Sequence, residues 1–165
     1  FDWVRAPVDG IIHSLEVAFA DFLTFARLEP GPNGAFFAAT QWGGSFWHHD
    51  PLLPQAREEF TRRAERLMGL RDVDPSTPRI FVWSVNSTRE IDAAERLLAA
   101  LRGALKGAPR LRLLVLVNFQ RQPGFLRLKG GTDILFRRMH ESLYGEGGRH
   151  WSMRLQCEAY SEAIA

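Results

Sequence analysis

Arg79-Ile80-Phe81-Val82-Trp83-Ser84-Val85-Asn86 opens the stretch that decides the fold, and Leu111-Arg112-Leu113-Leu114-Val115-Leu116-Val117-Asn118-Phe119 closes it. Both are short runs rich in β-branched, aromatic and leucine residues. They show little alternation, which predicts strands buried on both faces. Between them, Ser87-Thr88-Arg89-Glu90 reads as a capping box, with Ser87 and Glu90 satisfying each other's backbone N–H groups. Ile91, Ala94, Leu97, Leu98, Leu101 and Leu105 then recur at helical spacing, and Gly107 and Pro109 stop the run. Strand, helix and strand in that order predict a βαβ unit over 79–119. Its two strands should be parallel and its crossover right-handed.

Outward from this unit, the rest of the chain fits an α/β domain. The expected architecture is a mainly parallel central sheet with flanking helices and an aromatic β-hairpin near the N-terminus. Upstream, Ile12, Leu15, Phe19, Phe22 and Ala26 form one apolar stripe, which predicts a helix over 8–27. Gly43-Gly44 separates two aromatic segments and suits a tight hairpin turn. A second helix is expected over 51–70, with Asp50 as its N-cap and Pro51 at the first helical position. Glu58 with Arg62 and Glu59 with Arg63 are i,i+4 pairs on it. Downstream, 125–128 reads as an edge strand, 133–142 as a helix opened by Asp133, and 151–165 as a terminal helix.

The chain has 165 residues, of which 45% are hydrophobic and 24% charged, including 12 Phe and 5 Trp. That suits one folded domain over 1–165 and excludes a disordered composition. The net charge of +2 is too balanced for a nucleic-acid surface. No apolar run reaches the roughly 18–20 residues of a membrane span. One cysteine excludes an internal disulfide and fits a reducing cytoplasm. No phosphate-binding loop, no dinucleotide fingerprint and no metal-ligand spacing is present, so no cofactor or metal is expected.

Three constellations could carry chemistry. His48-His49-Asp50 sets a proton carrier beside a carboxylate that could orient it, and neighbouring strand residues face opposite sides, so one imidazole at most meets a given pocket. Asn86 and Asn118 fall at the carboxyl ends of the two βαβ strands, where α/β sheets bind ligands and where an amide can donate to an oxyanion or amide. Trp42 and Trp47 could wall a ligand, although aromatics of this density more often fill a core. Cys157, between Leu155 and Ala159, reads as a small buried hydrophobe.

Taken in order, Phe1-Asp2-Trp3, Phe46-Trp47-His48-His49-Asp50, Phe60-Thr61-Arg62-Arg63-Ala64-Glu65-Arg66-Leu67, Arg79-Ile80-Phe81-Val82-Trp83 and Leu113-Leu114-Val115-Leu116-Val117 resemble a bacterial family of unknown function classed as papain-like cysteine peptidases. The resemblance covers the chain up to about Phe119. It implies hydrolysis of an amide or thioester bond in a small-molecule or peptide substrate. It implies His49 (or His48) as the base, Asp50 as the orienting acid, and a nucleophilic Cys just before Phe1-Asp2-Trp3, so that this chain would be truncated at its N-terminus. Two other readings stand beside it. One is a binding domain for a sugar or anionic small molecule, using Trp42, Trp47 and the arginines of the 51–70 helix. The other is a transferase with its donor site at the strand ends.

Overall fold

A computed structural model describes residues 4–30, 36–46, 50–74, 76–127, 133–145 and 151–165, with the backbone alone for 28–30, 36–38 and 127. The chain divides into two compact units: 1–77 with 99–109, and 78–98 with 110–165. It is a mixed α/β protein with two four-stranded sheets, where the sequence predicts one mainly parallel sheet.

The first unit holds an antiparallel sheet in the order β1-β4-β3-β2. Its strands are β1 (Val4–Arg5), β2 (Phe25–Pro30), β3 (Phe36–Thr40) and β4 (Ser45–Phe46). The expected hairpin is there, joining β3 to β4. Gly43 takes φ 85°, a left-handed turn conformation, and Thr40 Oγ1 both accepts from Gly44 N at 2.9 Å and donates to Gly44 O at 3.0 Å. The core is aromatic. Trp42 stacks on Phe22 with ring centres 5.2 Å apart, and Phe46, fully buried, meets Phe60 edge-on at 4.9 Å.

Helix α1 spans Val8–Glu16, eleven residues short of the expected end. Its end closes by a Schellman arrangement: Phe19 N bonds Ser14 O at 2.7 Å and Ala18 N bonds Leu15 O at 3.2 Å. That turn needs a left-handed residue. Here Ala18 (φ 50°) and Phe19 (φ 62°) supply it without glycine, which is why the sequence carries no stop signal. Helix α2 spans Pro54–Leu67, not 51–70. Pro54 pushes the residue before it out of helical geometry, and Leu53 sits extended at ψ 130°. Asp50 is therefore no helix cap; its Oδ1 accepts from Leu52 N at 2.9 Å in a turn ahead of α2. Gly69 (φ 72°) ends the helix.

The second unit carries the two strands of the βαβ element, and the crossover helix between them is divided between the units. β5 (Arg79–Val85) and β6 (Leu111–Gln120) pair in parallel, Val85 opposite Val117. Ser87 and Glu90 form the capping box ahead of a 3-10 turn, Thr88–Ala93, that leads into α3 (Ala94–Ala104). β7 (Gly124–Arg127) and β8 (Ile134–His140) complete the sheet in the order β5-β6-β8-β7, with β8 parallel to β6 and antiparallel to β7. The segment expected as a helix over 133–142 is thus strand β8. Pairing on both sides satisfies its backbone and buries Ile134 and Phe136, which outweighs the helix-start signal of Asp133.

Central β6 is buried on both faces, as expected, with Leu113 to Val117 at 5% exposure or less. β5 is not. It lies at the sheet edge and leaves Ile80 and Val82 61% and 43% exposed. Helix α4 (Met153–Ile164) covers one face through Ala159, Tyr160 and Ala163, packed on Leu114, Leu116 and Met139.

Candidate functional site

Register places the strand ends first. Val85 lies opposite Val117, so Asn86 stands level with Asn118 at the carboxyl ends of β5 and β6. In a strand, Ser84, Leu116 and Asn118 point to one face, the face that α4 covers. Two elements from distant sequence close over this point: the 3-10 turn Glu141–Tyr144, which follows β8, and α4.

Asn118 is the hub. Its side chain is buried, at 4% exposure. Its Nδ2 donates to Asn86 Oδ1 at 2.8 Å and to Ser84 Oγ at 2.9 Å. Its Oδ1 accepts from Tyr160 OH at 2.8 Å and from Tyr144 OH. A primary amide offers two donors and two lone pairs, so this one is saturated. Ser84 Oγ lies 3.1 Å from Tyr160 OH. With both amide protons and both phenol protons committed, the Ser84 hydroxyl proton is the one left for that contact. Asn118, Ser84 and Tyr160 then form a closed ring of donors and acceptors.

Backbone strain serves the same place. Between Val117 and Gln120 the β6 chain advances three residues while β8 advances two, from Arg138 to His140. This is a β-bulge, and Phe119 takes a left-handed φ of 57° within it. Strict alternation would send Phe119 to the face opposite Asn118. Instead its ring lies 4.2 Å from that of Tyr144, whose hydroxyl bonds Asn118. The left-handed conformation costs about 1–2 kcal/mol for a residue with a Cβ. It leaves Phe119 47% exposed at the strand end.

The side-chain partners of Asn118 are all uncharged groups. Burial first, and then the hydroxyl of Tyr160, hold the Tyr144 phenol well above its ordinary range, so it stays protonated. Glu90, the nearest carboxylate in sequence, is held by the backbone N–H groups of Asn86 and Ser87, each at 3.0 Å. His140 ends β8 opposite Gln120, and its Nδ1 accepts from Ser142 N at 3.1 Å and lies 2.7 Å from Ser142 Oγ. Among the described residues, Asn86 Nδ2 has no partner, and Asn86 is exposed. The site therefore presents an immobilised amide donor and an exposed aromatic ring, with the one adjacent carboxylate, Glu90, tied to the backbone of Asn86 and Ser87.

The structure brings the two predicted asparagines into direct contact. Trp47, His48 and His49 lie outside the described residues. Asp50 belongs to the first unit, with its Oδ1 on Leu52 N. Trp42 is no ligand wall: it is 8% exposed, and its Nε1 donates to Phe22 O at 3.2 Å. Cys157 is exposed rather than buried. Three of the four arginines of α2 meet acids, Arg62 and Arg63 both with Glu59, at 3.8 and 2.6 Å, and Arg66 with Asp72 at 3.9 Å, while Arg57 donates to Pro51 O at 3.3 Å. Among the described residues, no group of three or more His, Cys, Asp or Glu is gathered as metal ligands, and no helix is long and apolar enough to cross a membrane.

Sequence reasoning missed Ser84, Phe119, Tyr144 and Tyr160. One signal was available: the chain has two tyrosines, and both end in this network. The bulge at Phe119 has no signature in composition or periodicity. Compared with known proteins, the chain matches no family model, no curated protein and no solved structure.

Proposed function

We propose that the carboxyl end of the β5-β6-β8 sheet binds a neutral, hydroxyl-rich small molecule of the saccharide class. The observation that supports this most is the saturated, buried amide of Asn118. It holds Asn86 with its oxygen turned inward and its NH2 turned to solvent. A fixed donor beyond the strand ends suits a ligand hydroxyl. The exposed Phe119 ring suits the apolar face of a sugar. The anionic alternative lacks a cation here, since the titratable groups of the network are phenols.

The cysteine-hydrolase reading attached to the family resemblance draws on 48–50 in the other unit, and no described geometry adds support to it. Turnover of a thioester by the full gene product, lost on His49→Ala, would restore it.

The test is ligand-observed NMR of the chain against a panel of neutral saccharides, repeated with Asn86→Ala and Phe119→Ala. At least one saccharide should bind. Asn86→Ala should weaken it about tenfold, the equivalent of one hydrogen bond, and lower stability by about 1 kcal/mol, because it strands one Nδ2 proton of buried Asn118. Binding unaffected by both substitutions, or no binding across the panel, overturns the reading.

A further inference from the structure

We infer that the first unit contains a separate pocket for a small arylalkylamine, set between the turn after α1 and the flank of α2 that carries Phe60, Ala64 and the C-cap Met68. The cavity measures about 240 Å³. A dry engineered cavity of roughly 150 Å³ holds benzene, with its six carbons, so this one suits about nine or ten heavy atoms. Its walls are mostly hydrocarbon: Phe19, Phe22, Phe60 and Met68 lead them. The polar lining residues are Thr61 and Glu65, one turn apart on α2 and so on one side of the cavity. The lining is thus amphipathic: an open, aromatic-lined cleft with a hydroxyl and a carboxylate at one side. Such a wall selects a ring carrying a short arm with a cationic donor at its end.

The cleft is built rather than left over. Ala18 and Phe19, both left-handed, turn the chain back after α1 and bring Phe19 and Phe22 against the α2 side. Asp21 in the same turn is held to α1 by His13 Nε2, 2.6 Å from its Oδ2. A straight continuation of α1 would carry these aromatics away. Glu65 already meets Arg71 at 3.3 Å, but both are substantially exposed, so an ammonium can share or displace that contact at little cost.

The probes are 2-phenylethylamine, 2-phenylethanol and phenylacetate, titrated into the full chain and followed through backbone amide shifts. The amine should bind three- to fivefold more tightly than the alcohol, the advantage of one solvent-exposed ion pair. The acid should bind most weakly, and shifts should centre on Phe19, Phe60 and Met68. Glu65→Gln, on the surface, should bring amine and alcohol to equal affinity. Ala64→Trp should fill the space and remove binding of both. No shifts at these residues with any probe would overturn the pocket. Equal binding of all three to the native chain would overturn the amine assignment, and binding that survives in folded Ala64→Trp would overturn the location.

Discussion

Replacing Asn118 by alanine removes four hydrogen bonds at once. Their loss is unequal. Ser84 and Asn86 are exposed and can turn to water, so their share is small. Tyr144 and Tyr160 are half-buried and lose the acceptor that both use. Each keeps a partial substitute, because their hydroxyls lie 3.1 Å apart and Tyr160 lies 3.1 Å from Ser84 Oγ. Counting about 1–1.5 kcal/mol for each stranded phenol gives a destabilisation of about 2–3 kcal/mol. Asn118→Asp should cost less. All four neighbours are able to donate: two phenols, a serine hydroxyl and an amide that can rotate. A carboxylate in that ring would accept charge-assisted bonds from each. Asn118→Leu should cost at least as much as alanine, since it sets hydrocarbon against four polar atoms. Urea unfolding followed by circular dichroism measures the series. A loss below about 0.5 kcal/mol for alanine, or an aspartate worse than alanine, would refute the assignment of Asn118 as hub.

Other expectations follow from single contacts. Because folded Tyr144 keeps the proton that the unfolded chain releases near pH 10, stability from this group is full below about pH 10 and falls as pH rises beyond it. Absorbance at 295 nm should show fewer than two phenolates until alkaline unfolding, and two reversible phenolates in the folded chain near pH 10 would contradict this. Gly44→Ala puts a Cβ 2.0 Å from Trp42 Cζ3, so it should cost about 1–3 kcal/mol and shift Trp fluorescence. An unchanged spectrum and midpoint would show that Trp42 packs elsewhere. Ala18→Gly relieves a left-handed alanine and should stabilise by about 0.5–1 kcal/mol in thermal unfolding; a destabilisation would mean that α1 does not end there.

The βαβ unit was legible because its signals agree at every level. Buried β6 has no polar residue between Leu113 and Val117, and the capping box of Ser87 and Glu90 forms as its spacing requires. Errors arose where long-range pairing overrode local preference. Asp133 resembles a helix cap, yet β6 and β7 claim 134–140 as a strand. The end of α1 was invisible because alanine and phenylalanine occupy positions usually held by glycine. The extra exposure of β5 reflects its place at the sheet edge, which periodicity does not encode. At the site, the two strand-end asparagines were legible from βαβ geometry alone. Their tyrosine partners were not, since Tyr144 and Tyr160 arrive 26 and 42 residues after Asn118 along the chain.

Side-chain amide NMR of Asn86 and Asn118, recorded as a binding saccharide is added, tests the central claim most directly. The account predicts that the Asn86 NH2 pair moves progressively to saturation while the Asn118 pair, already fully bonded, stays slowly exchanging and shifts little. A saccharide that binds the chain without moving the Asn86 pair, or an Asn118 amide that exchanges freely with solvent in the folded protein, would contradict it.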